Sequence, residues 1–86
     1  MNTYKTSGVC SRFITFDVSA DGLVRDVRFE GGCHGNLQGL SSMVEGCPIG
    51  EVVERLEGIR CESKQTSCPD QLARSLRAYM EQNGTT

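Results

Sequence analysis

The chain has no tryptophan, a single histidine and two prolines, and its aromatic residues are three phenylalanines and two tyrosines. A length of 86 predicts one domain, residues 1–86, and 37% hydrophobic residues with so thin an aromatic supply predict a light core. Domains of that size often lean on a metal, disulfides or a second subunit. Long apolar runs are missing too: none approaches the ~20 residues of a bilayer span, so no membrane is expected as a partner. The opening stretch M-N-T-Y-K-T-S-G lacks the apolar core of a secretory signal, which predicts a cytoplasmic location. Basic clusters are absent as well. Nine Lys and Arg against eleven Asp and Glu give a formal net charge of −2, and no stretch could follow a phosphate backbone, so no nucleic acid is expected. A lone histidine, no G-x-S-x-G elbow and no paired carboxylates leave hydrolase chemistry without support.

What the chain does have is cysteine. There are five, and in a reducing cytosol five thiols point to metal binding or redox chemistry rather than a disulfide framework. The count is odd, so at least one thiol stands outside any pairing.

The pattern along the chain predicts strands first and helices after. Thr3 to Thr6 reads as a short strand and Gly8-Val9-Cys10 as a turn. Arg12 to Val18 alternates, with Ile14, Phe16 and Val18 on one face and Phe13, Thr15 and Asp17 on the other, which is a strand period. Ser19-Ala20-Asp21-Gly22 contains the Asp-Gly hairpin signal. Leu23 to Glu30 is the antiparallel return strand, with Leu23, Arg25, Val27 and Phe29 sharing a face and Val27 and Phe29 lining the core. A first helix is expected over Asn36 to Glu45, carrying Leu37, Leu40 and Val44 and stopped by Gly46. Cys47-Pro48 opens a second over Ile49 to Leu56, with Ile49, Val52, Val53 and Leu56 as its stripe and Gly58 at its end. A third runs from Pro69 to about Gln82, with Leu72, Leu76, Tyr79 and Met80 inward and Arg74, Arg77, Glu81 and Gln82 in water. The expected architecture is α+β: a small antiparallel sheet of two or three strands packed against three helices.

Four of the cysteines, Cys10, Cys33, Cys61 and Cys68, follow the spacing C-x22-C-x27-C-x6-C. Cys10 and Cys33 flank the hairpin, whose ends are neighbours in space. Cys61 is tethered to Cys68 by a short loop. Cys68 precedes Pro69, a residue favoured at helix starts, so it is expected at the N-cap of the last helix, where unpaired backbone N–H groups and the helix dipole suit a thiolate. Packing two helices on one sheet face can bring these four to one edge. Four thiolates suit tetrahedral zinc or an iron–sulfur cluster. Cys47 lies at the far end of the first helix from Cys33, roughly 15 Å for ten helical residues, and is read as structural. His34 adjoins Cys33 but is read as a solvated loop histidine, and Asp70 as a carboxylate favoured by the helix dipole rather than a catalytic group.

The run Gly31 to Gly39, G-G-C-H-G-N-L-Q-G, offers a second possibility. Gly32, Gly35 and Asn36 could cradle a phosphate of a flavin or nucleotide at a helix N-terminus, although the run matches neither the dinucleotide fingerprint nor the P-loop. Close helix–sheet packing accounts for these glycines equally well.

A resemblance now becomes specific. Thr66-Ser67-Cys68-Pro69-Asp70 spells the name of the TSCPD domain. Together with Gly8-Val9-Cys10-Ser11, the glycine-rich run, Val44-Glu45-Gly46 and Gly58-Ile59-Arg60-Cys61, it makes nearly the whole chain look like the small stand-alone TSCPD proteins. These are related to the C-terminal domain of adenosylcobalamin-dependent ribonucleotide reductases. The resemblance implies Cys10, Cys33, Cys61 and Cys68 as the family's cysteines, with Cys47 outside the set and His34 where proline is expected. It also implies a ribonucleotide reductase or another redox protein as partner, although a chain this short cannot hold the reductase barrel and is not a complete reductase.

More distantly, the order of elements is similar to U-type iron–sulfur cluster scaffolds, with Cys10, Cys33 and Cys68 matching the three scaffold cysteines. Arg12 stands where the scaffold has aspartate and Ser67 where it has histidine, and the scaffold's chaperone-binding segment has no counterpart. An added fourth thiol, Cys61, favours stable holding over transfer. Three functions are therefore carried forward: a metal or cluster protein, an accessory to ribonucleotide reduction, and a small redox protein with thiols beside an organic cofactor. A homodimer is expected because a light core and open sheet edges favour a second subunit.

Overall fold

The alternation of Ile14, Phe16 and Val18 with polar neighbours makes residues 11–18 the central strand of a three-stranded antiparallel sheet. A computed structural model describes residues 2–9, 11–31, 34–60 and 66–83. Its order is β1 (Asn2–Lys5), β2 (Ser11–Val18), β3 (Val24–Gly31), α1 (His34–Val44), α2 (Ile49–Leu56) and α3 (Cys68–Gln82). Sheet order is β1-β2-β3, with Tyr4 opposite Ile14 and Ile14 opposite Phe29. This is the α+β architecture expected, with the third strand formed at the chain's start.

The hairpin turn closes as its Asp-Gly sequence dictates. Gly22 adopts φ +81°, its N–H donates to Ser19 O at 2.9 Å, and Ser19 N donates to Leu23 O at 2.9 Å. The return strand departs from simple alternation. Asp26 has φ +53°, and the register jumps between Thr15–Arg28 and Asp17–Arg25, so β3 carries a bulge. The bulge moves Val24 onto the same face as Val27 and Phe29. The face expected for Leu23 and Arg25 is corrected accordingly: Val24 is fully buried, while Arg25 is exposed.

The helices cover one face of the sheet. Ile14, Phe16, Val24 and Val27 meet Val44, Ile49, Val52, Val53, Leu72 and Leu76 in a single core, with Val18, Phe29, Leu40, Leu56, Tyr79 and Met80 packed around it. Phe16 and Tyr79 meet edge to face at 5.9 Å, the favoured geometry for aromatic quadrupoles. On the other face Phe13 is exposed. The second helix has the expected bounds, and α1 starts two residues earlier than expected. Gly46 at φ +76° and Gly58 at φ +88° turn the chain out of α1 and α2 in a conformation that residues with a Cβ adopt only under strain. The linker between these helices is stitched to the hairpin. Gly46 N donates to Val24 O at 2.7 Å, Val24 N to Cys47 O at 2.8 Å and Ile49 N to Gly22 O at 3.0 Å, with an isolated bridge between Leu23 and Pro48.

Candidate functional site

Among the described residues, buried polar side chains gather at the N-terminus of α3. Ser67, with φ −149° and ψ 171°, is the N-cap, and its hydroxyl accepts from Asp70 N at 3.2 Å. Cys68 is therefore the first helical residue and not the cap, a correction of one position. Serine takes the cap because its oxygen can accept from the free N–H groups of the first turn. Pro69 follows within that turn, where its missing N–H costs nothing.

Around this cap the side chains knit three segments together. The Ser67 hydroxyl donates to Ile59 O at 2.6 Å. Gly58 N donates to Asp70 Oδ1 at 2.7 Å, Thr66 Oγ1 donates to Asp70 Oδ2, and Arg74 Nε lies 2.9 Å from the same oxygen. Gln71 Nε2 donates to Thr66 Oγ1 at 3.0 Å, while Gln71 Oε1 accepts from Ser7 N at 3.2 Å. Thr66, Ser67, Asp70 and Gln71 are all buried, and no described buried side-chain N or O lacks a partner. Burial alone would push the Asp70 carboxyl up, but the Thr66 hydroxyl, the Gly58 N–H and the Arg74 guanidinium hold it below the ordinary carboxylate value. The loop before β2 fits tightly here: a Cβ on Gly8 would lie 3.3 Å from Thr66 Cγ2, and its φ is +72°.

Cys68 is buried, and its Sγ lies 3.3 Å from Ser11 Oγ. Ser11 starts β2 opposite Gly31 at the end of β3, and Thr6 Oγ1 donates to Ser11 O. Of the four cysteines expected to form a site, Cys10, Cys33 and Cys61 lie outside the described residues, as does Gly32. Ser11, next to Cys10, pairs with Gly31, two positions before Cys33, and Ser11 contacts Cys68. Ile59, two positions before Cys61, is bound to the α3 cap. Among the described residues no group of three or more His, Cys, Asp or Glu could hold a metal ion. Cys47 is half-buried, packs against the core and donates to Met43 O at 3.4 Å, a structural placement.

Gly35 and Asn36 sit exposed in the first turn of α1. A Cβ on Gly35 or Gly39 would meet nothing within 4 Å, so close helix–sheet packing is not what these glycines serve. A cleft of about 580 Å³ lies beside β3, lined by Asp26 to Gly31 and by Leu37, Gln38, Ser41, Ser42 and Glu45. Gly35 and Asn36 are not part of its lining.

The TSCPD domain family matches residues 2–80. The chain belongs to the TSCPD domain family. No curated protein and no solved structure matches it. In this TSCPD domain each residue of the naming motif has a physical part. The threonine bridges Asp70 and Gln71, and the serine caps the helix and holds Ile59. The cysteine faces Ser11, the proline stiffens the first turn, and the aspartate binds Gly58 and Arg74. Gln71 is the member that sequence reasoning missed. Its partner on Ser7 is 64 residues away, and no local periodicity signals such a contact. Asp70 was expected as a dipole-favoured carboxylate; its place as the hub of a buried network is a second omission.

Proposed function

We propose that this TSCPD domain holds a zinc ion or an iron–sulfur cluster through the thiolates of Cys10, Cys33, Cys61 and Cys68, as an accessory to a cytoplasmic redox enzyme of the ribonucleotide-reductase kind. The observation that carries the reading is the buried clasp at the start of α3. It binds the loop around Ser7, the stretch ending at Ile59 and the cap of α3, while Cys68 meets Ser11 at the end of the hairpin. Each of these segments leads, within a few residues, to one of the other three cysteines. A thiol set of this kind matches the ligand chemistry of zinc and of iron–sulfur clusters. The bound metal would supply either a structural cross-link or an electron site. The chain's own contribution is the clasp, which ties the described segments next to these cysteines to the start of α3.

The alternative, thiols beside a flavin or nucleotide, has less behind it, because Gly35 and Asn36 stand apart from the cleft along β3. Protein purified without oxygen should carry near-stoichiometric zinc or iron, released on acidification as protons compete for the thiolates. Less than about a tenth of an equivalent of either metal would sink the reading. A yellow protein with flavin absorbance would favour the alternative.

A further inference from the structure

The outer edge of β3 is closed in stages and then left open. At its start, Gly22 to Val24 pair with the linker from Gly46 to Ile49. At the bulge, Asp26 N donates to Glu45 Oε1 at 2.9 Å, and Arg25 Nη1 lies 3.3 Å from Glu45 Oε2. Beyond that, from Val27 to Gly31, no described strand pairs with this edge, since the sheet order ends at β3. The cleft runs along this stretch. Six consecutive residues of β3 line it on one side, and Leu37, Gln38, Ser41, Ser42 and Glu45 line it on the other. An open edge is a template for another strand.

We propose that the occupant is β3 of a second copy, paired antiparallel about a two-fold axis at Phe29. The charges and the bulge together select this register. Residues opposite one another on antiparallel strands share a face, so a two-fold pairing of β3 must centre on a residue. Centring on Arg28 would set Arg28 against itself and Glu30 against Asp26. Centring on Glu30 would oppose two glutamates. Centring on Val27 would set Arg28 against Asp26, but Asp26 is bulged and its N–H is already taken by Glu45, and buried Val24 would face exposed Glu30. Centring on Phe29 sets Arg28 against the partner's Glu30 twice over. Both are exposed, and neither has an ion pair within the chain among the described residues.

On the core side, half-buried Phe29 meets its own copy, an aromatic cross-strand pair of the kind that stabilises sheets. The bulge and Glu45 protect the start of this edge, but Val27 to Gly31 carries no lysine and no proline. The result is a six-stranded sheet across two subunits. This inference does not depend on the metal-site reading.

The test is a charge swap read by light scattering, with circular dichroism confirming that each variant is folded. Wild type should weigh about twice 9.4 kDa at micromolar concentration. Arg28→Glu and Glu30→Arg should each weaken dimerisation at least tenfold and run near the monomer mass. An equimolar mixture of the two should form a heterodimer, and the double variant should recover the dimer. A monomeric wild type would overturn the proposal and leave the edge to a strand from a different protein. A dimer insensitive to either single change would overturn it too, since association would then use another surface.

Discussion

A carboxylate with only 2% of its surface exposed persists at Asp70 because both of its oxygens are supplied with donors: Gly58 N–H on one, the Thr66 hydroxyl and Arg74 on the other. Asp70→Asn keeps the shape but turns an amide donor toward other donors. It should cost about 1–3 kcal/mol, the usual penalty for unmatched buried polar groups, measured by urea unfolding of metal-free protein. The acid limb should change as well. The folded carboxyl is held below its ordinary value of 3.8, so its contribution is complete above that value and is lost as pH falls through the lowered one. Wild type should therefore lose stability more steeply than Asp70→Asn at the acid end; parallel pH profiles would show that Asp70 is not the source. None of this is written in the hydrophobic pattern. The burial of Gln71 and Asp70 rests on hydrogen bonds to Ser7 and Gly58, partners that only the folded chain supplies.

Among the elements, the helices were the most legible, since α2 and the inward stripe of α3 follow directly from apolar spacing at 3.6 residues. β3 was legible as a strand but not in its facing. A bulge shifts the parity of every residue on one side of it, and the sequence V-R-D-V-R-F carries no mark of the extra residue at Asp26. That site invites a test. Asp26 holds φ +53°, a region that aspartate tolerates and β-branched residues resist. Asp26→Val should destabilise the fold by about 1–2 kcal/mol. Asp26→Gly should be close to neutral, relief of backbone strain offsetting the added freedom of the unfolded chain. Thermal melts of the pair would decide, and equal destabilisation would mean that the aspartate side chain, not its backbone, matters there.

For the molecule as a whole, what was legible is the topology around the expected cysteine site, whose Cys10, Cys33 and Cys61 lie outside the described residues. Flanking positions of a hairpin must be neighbours, and the Ser11–Gly31 pairing has that form. What spacing could not reveal was the polar clasp that would bring the loops together. If the four thiolates share a metal, its binding energy is also folding energy in a domain this small. Cys68→Ser should then lower both metal content and melting temperature, whereas Cys47→Ser, at the opposite end of α1, should change neither strongly. Unfolding by Cys47→Ser with Cys68→Ser unaffected would refute the assignment.

The three backbone bonds between Gly22–Val24 and Gly46–Ile49 also bear on the order of assembly. They close loops of about 25 residues, a modest entropic cost, and join the hairpin to both of the first two helices. Residues 11–56 can thus gather into a cooperative subunit of the folding reaction before α3 docks. If α3 docks last, Cys68 and its clasp arrive with it, and the proposed metal pocket would be completed at that step. Protein caught before that step would expose its thiols together, which makes the rate of α3 docking the interval during which they can be oxidised or mismetallated.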